Sequence, residues 1–135
     1  MTPPVSRLDV DSTTREKIRR ELAHFSAAPI QFFNAWKRGV ALAGPQYFGR
    51  EPRADLDRAT SKLDLVPKMT FIAQAIGGMS GGEKVFIAAL TSFYNSEDGG
   101  GLMRRVGVNG FADLHNLDLQ RRTVIADLLL NYSGW

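Results

Sequence analysis

Ser80-Gly81-Gly82-Glu83-Lys84-Val85-Phe86-Ile87-Ala88-Ala89-Leu90-Thr91-Ser92-Phe93-Tyr94 is the stretch on which the fold turns. Ser80 and Glu83 stand three apart, the spacing of a capping box, in which a hydroxyl and a carboxylate each satisfy an orphan amide at a helix start. Past Lys84 the segment is apolar nearly all round. A helix with no solvated face belongs at the centre of a fold rather than on its surface. The stretch therefore predicts a helix over about 81–95, with 84–94 as the water-free axle of an all-α domain. The expected architecture is a compact bundle of five to seven helices.

Working back from the axle, Pro67 opens a helix with Met69, Ile72, Ala73 and Ile76 on one face, and Gly77-Gly78 ends it. A short polar helix is expected near 54–63, and Gln46 to Arg53 reads as an ordered loop carrying two aromatics. Further upstream, Asp11-Ser12-Thr13-Thr14 offers N-cap oxygens to a helix over about 12–26, whose narrow stripe is Ile18, Leu22 and Phe25. Ser26-Ala27-Ala28-Pro29 marks a fresh start, because proline suits a first helical turn. The second helix then carries Ile30, Phe33, Trp36 and Val40 to a stop at Gly44-Pro45. Residues 1–10 read as a flexible tail, and 11–135 as one helical domain.

Working forward, Asn95-Ser96-Glu97-Asp98 followed by Gly99-Gly100-Gly101 predicts a flexible break, with a short helix around Leu102 to Val106. Asp118 caps the last long helix, about 119–132. Its main stripe is Val124, Ile125, Leu128, Leu129 and Tyr132, and Leu119, Ala126 and Leu130 draw a second apolar line on the opposite side. A helix apolar on two sides is either sandwiched or shared with a partner. No run of alternating β-branched residues suggests a strand. One internal echo stands out: Asp11, Arg15, Ile18, Leu22, Phe25 and Ser26 align without gaps on Asp118, Arg122, Ile125, Leu129, Tyr132 and Ser133. A single such pair is too little for a repeat fold, which needs about three units to bury a core.

The chain of 135 residues is the size of one domain and carries 17 Lys and Arg against 14 Asp and Glu. Residues 1–68 hold 12 of the cations and 8 of the acids, so the mild basicity lies in the first half. It favours anionic partners without amounting to a dedicated nucleic-acid surface. There is no cysteine, which removes disulfides, thiolate metal sites and a cysteine nucleophile, and fits a cytoplasmic setting. No apolar run reaches the roughly 18 residues of a membrane span.

The chemistry-bearing motifs are weak. Gly77 to Lys84 is glycine-rich, but Glu83 follows the last glycine and Val85 follows the lysine, where a phosphate loop needs Lys and then Ser or Thr. His24 and His115 are the only histidines and have no ligand spacing around them, so no metal is expected. Glu97-Asp98 lacks the alternating oxygens of a calcium loop. No nucleophile elbow supports Ser-His-Asp chemistry. The sequence leans against an enzyme and implies no catalytic residue and no cofactor.

What remains is interaction. Phe25, Phe32, Phe33, Trp36, Tyr47 and Phe48 crowd one segment beside Lys37, Arg38, Arg50 and Arg53. Stacking platforms beside cations suit single-stranded nucleic acid or a flat anionic ligand. Trp36, Tyr47, Phe48, Arg50 and Arg53 are accordingly the candidate ligand- or partner-binding residues. Phe33 and Trp36 also sit on a helix stripe, where core packing accounts for them. Leu119, Ala126, Leu130 and Trp135 are the candidate interface residues. The leading expectation is a small non-enzymatic protein-interaction or regulatory module that associates with itself. A binder of nucleic acid or an anionic or aromatic ligand through 25–53 is the alternative, and a small enzyme or apolar-ligand carrier whose pocket opens between the helices near Trp36 is the third.

Overall fold

A computed structural model describes residues 11–135, and the expected tail at 1–10 lies outside the described residues. Among those described, five α-helices occur: α1 Ser12–Ala43, α2 Met69–Ala75, α3 Gly81–Tyr94, α4 Ser96–Arg105 and α5 Leu119–Asn131. Four short 3-10 turns join them, and the one strand-like contact is an antiparallel bridge between Phe48 and Pro67. The architecture is an all-α bundle.

Helix α3 is the axle. Ser80 caps it by accepting from the amide of Glu83, and every residue from Val85 through Thr91 is buried. Thr91, the polar member of that run, is satisfied within the helix, its hydroxyl donating to the carbonyl of Ala88 at 2.7 Å. Around α3 close Phe32, Trp36, Val40, Phe48, Leu65, Ile72, Ile76, Leu117, Val124 and Leu128. The Trp36 indole N–H reaches the Leu65 carbonyl at 2.9 Å, so this large side chain buries its one polar atom without loss.

Three local expectations give way to the structure. The predicted break between residues 26 and 29 is absent: α1 runs unbroken for 32 residues with Pro29 inside it. An interior proline removes one helix hydrogen bond and crowds the carbonyl four residues back. Here Phe25 and Pro29 are both exposed, so water can meet the carbonyl that loses its donor. The packing that begins at Ala28, together with a 2.8 Å bond between His24 Nε2 and the Leu130 carbonyl, keeps the helix continuous through the site.

The second departure is α4, which contains all three glycines of the supposed break. Asn95 caps it, its side-chain oxygen accepting from the amides of Glu97 at 3.1 Å and Asp98 at 2.9 Å. Acids fill the first turn and Arg104 and Arg105 the last, as the helix dipole favours. Gly99 is required by proximity: a Cβ there would lie 2.4 Å from the backbone nitrogen of Ser92. The glycine lets α4 fold back against α3 across a single linking residue.

Third, no helix forms over 54–63. The Asp64 carboxylate accepts from the amides of Thr60 at 2.9 Å and Ser61 at 3.2 Å. Those amides are thereby diverted from any preceding helix, and a 3-10 turn, Lys62–Leu65, follows instead. Both amides, together with the Thr60 hydroxyl and the charge of Arg50, hold the Asp64 carboxyl below its ordinary range against a smaller opposing effect of burial.

Helices α1 and α5 pack antiparallel. A Cβ on Gly39 would sit 3.2 Å from Val124, Arg38 pairs with Asp127, and His24 meets Leu130. Residue numbers rise on one helix as they fall on the other, and α5 ends near residue 24 of α1. Beyond that point α1 runs on as an arm. Every residue from 12 to 27 is exposed or half-buried, and Ala28 is the first buried one.

Candidate functional site

The structure separates the sequence-predicted ligand residues. Trp36 and Phe48 lie wholly inside, their rings 5.9 Å apart edge to face, and offer no open surface to a base or planar ligand. Tyr47 is half-buried against Phe71 at 5.2 Å. Arg50 and Arg53 are exposed on the loop outside them. Arg50 edges a shallow depression of about 490 Å³ with Arg58, Glu51, Asp55 and Asp64, in which the charges are mixed. The aromatics and cations of 25–53 therefore do not form one surface.

The predicted interface residues separate too. Leu119 is 80% and Leu130 63% exposed, and Ala126 between them is exposed. All three lie on the side of α5 opposite the buried Val124, Leu128 and Asn131, and Leu119 and Leu130 border α1 across shallow depressions at the two ends of the helix. Leu129, also exposed, widens the outer line. The Asp118 cap fixes the start of this helix by accepting from the Arg121 amide at 2.9 Å. That bond, assisted by the Arg121 guanidinium and opposed by burial, holds the Asp118 carboxyl below its ordinary range.

Trp135 takes a different place. It is half-buried at the edge of the core, 4.9 Å from the Trp36 ring and 5.1 Å from Tyr94, with its indole nitrogen buried and without a partner. Lys62 clamps it there. The ammonium donates to the Gly134 carbonyl at 2.9 Å and sits over the rings of Phe32 and Trp135.

That clamp forms one wall of a mainly apolar groove of about 610 Å³. Pro29, Ile30, Phe32 and Phe33 of α1 make its floor, facing residues 60–62 and Asn131, Ser133 and Gly134. The groove continues onto the arm. At about 100° per residue, positions 18, 22, 25, 29, 32 and 36 lie within roughly 40° of one line along α1. Phe32 and Trp36 carry that line into the core, whereas Ile18 at 52%, Leu22 at 67% and Phe25 at 57% exposure carry it into solvent. Ile30, 66% exposed, borders it at the groove.

Nothing among the described residues covers Ile18, Leu22 and Phe25, the narrow stripe of the expected 12–26 helix. The signal was the narrowness of the stripe. Three large apolar residues in the fifteen of 12–26 are too few for a helix held by burial alone. The groove left no sequence trace, because Lys62 and Gly134 meet α1 only through the tertiary fold.

Among the described residues no group of three acids or histidines could hold a metal ion, and no helix is long and apolar enough to cross a membrane. The groove holds no pair of titratable groups set for acid–base work. What α1 and α5 present is uncovered apolar helix surface bordered by charge. No family model, no curated protein and no solved structure matches this chain.

Proposed function

We propose that the chain is a non-enzymatic protein-interaction module that associates with itself through the outer face of α5. The observation that carries this reading is the line Leu119, Ala126 and Leu130, exposed along a well-capped helix whose opposite side already serves the core. Single exposed leucines need no explanation, but an aligned set along one helix marks a surface kept apolar for contact. A helix face suits a two-fold partner, because a two-fold axis brings the same residues together from both copies. The reading sets this association in the cytoplasm, where a chain without cysteine loses no cross-link to the reducing environment.

Sedimentation velocity across a concentration series tests it. The chain is expected to sediment as a dimer, and Leu130→Asp as a monomer with unchanged far-ultraviolet ellipticity at about 20 °C and a melt that no longer depends on protein concentration. A wild-type chain that stays monomeric at every concentration removes the reading.

A further inference from the structure

The apolar line of α1 is a second surface, which the self-association reading does not use. From Ile18 through Leu22, Phe25 and Pro29 to Phe33 it runs about 22 Å, four turns of a docked helix. Its two ends differ in shape. The arm is convex and bare, whereas at Ile30 and Phe33 the line enters the walled groove. A flat bilayer can rest on the arm without entering the groove; an amphipathic helix can lie along both.

Charge narrows the occupant further. On the helical wheel Arg15, Arg19 and Lys37 share one border of the line, Lys17 lies on the other, and Lys62 stands in the groove wall. Glu16 pairs with Arg19 and Arg20 behind the line. Asp11 at the tip and Glu21 beside Lys17 are the acids along it. Among the described residues Arg15, Lys17, Lys37 and Lys62 pair with no carboxylate. Lys37 instead lies over Phe33, and Lys62 over Phe32 and Trp135. A second copy of α1 would bring like charge against like.

We propose that this track binds an acidic amphipathic helix of a partner protein. Its apolar residues seat against Leu22 and Phe25 and in the groove, and its carboxylates reach Arg15, Lys17, Lys37 and Lys62. The proposal shares with the previous one the premise of an interaction module, and uses a different face.

The test is fluorescence anisotropy with the full chain and a labelled helical peptide of about 18 residues. The probe carries leucine at i, i+3, i+4 and i+7 spacing with glutamate and alanine elsewhere, and a control replaces each glutamate by lysine. The acidic peptide is expected to bind at least about tenfold more tightly than the basic one, and more weakly as salt rises. Leu22→Asp, on the exposed arm, is expected to cost about tenfold or more with an unchanged melt. The pair Arg15→Glu with Lys37→Glu is expected to abolish the acidic preference, and Leu130→Asp to leave binding unaltered even where it dissociates the dimer.

Equal binding of both peptides, or insensitivity to Leu22→Asp, overturns the proposal. So does binding to phosphatidylserine–phosphatidylcholine vesicles without peptide binding, which assigns the face to a membrane. Dimerisation lost in Leu22→Asp assigns it to a second copy. A photo-crosslink from position 22 into residues 1–10 assigns it to this chain's own first segment.

Discussion

The arm of α1 and helix α5 carry the same apolar triad, Ile18, Leu22 and Phe25 on one and Ile125, Leu129 and Tyr132 on the other, and they meet different fates. Helix α5 is anchored and the arm is not. The matched triads do not explain this, since Leu129 is as bare as Leu22. The explanation lies one position earlier. Helix α5 has Val124, Leu128 and Asn131 there, all buried, where the arm has Lys17, Glu21 and His24. An apolar stripe of a given spacing thus shows that a helix forms. The adjacent positions decide whether a second contact pins it to the body.

The comparison breaks first at Leu128, which is fully buried. Leu128→Ala leaves a cavity between α5 and the core and is expected to cost about 2–5 kcal/mol, read as a fall in the melting temperature. A smaller and opposite change is expected from Pro29→Ala, which restores the missing helix hydrogen bond. It should raise stability by about 1–3 kcal/mol and slow amide exchange across residues 26–30. No gain there would mean that the two halves of α1 do not behave as one helix.

Leu22→Ala sharpens the contrast by doing little. On the arm it is expected to change stability by no more than about 0.5 kcal/mol. Any cost close to that of Leu128→Ala would show that the arm is covered in solution.

The smallest effect is electrostatic. The Asp118 carboxyl, held low by the Arg121 amide, stabilises the start of α5 above its unfolded pKa. That contribution is lost as pH falls through the still lower folded value. Asp11 places no side-chain cap on α1. On acidification, the protection of amides in the first turn of α5, relative to their intrinsic exchange rates at each pH, is therefore expected to fall in the wild-type chain and not in Asp118→Ala, while Asp11→Ala leaves the arm unchanged.

Much of the fold was legible because capping and burial agree locally. Ser80 and Asp118 mark the starts of α3 and α5, and the unbroken run from Val85 to Leu90 marks the axle. The misread joints are those where a residue serves a distant neighbour. Pro29 is tolerated because α5 and the core hold the helix around it. Gly99 breaks nothing because it faces Ser92 at contact distance. The turn at 60–65 obeys Asp64 rather than helix propensity. Of the candidate surfaces, the outer line of α5 could be read from its spacing. The groove could not, since its walls come from three separated segments.

Trp36 and Trp135, the only two tryptophans, stack edge to face 4.9 Å apart beneath the Lys62 ammonium. Both chromophores therefore sample one spot in the body, and neither lies on the arm. Their coupled indole transitions should give a strong near-ultraviolet dichroic signal that vanishes only when the body opens. Fraying of the arm would register in far-ultraviolet ellipticity alone. Non-coincident melts in the two spectral windows are accordingly expected of a healthy sample of this protein, and do not diagnose a folding intermediate.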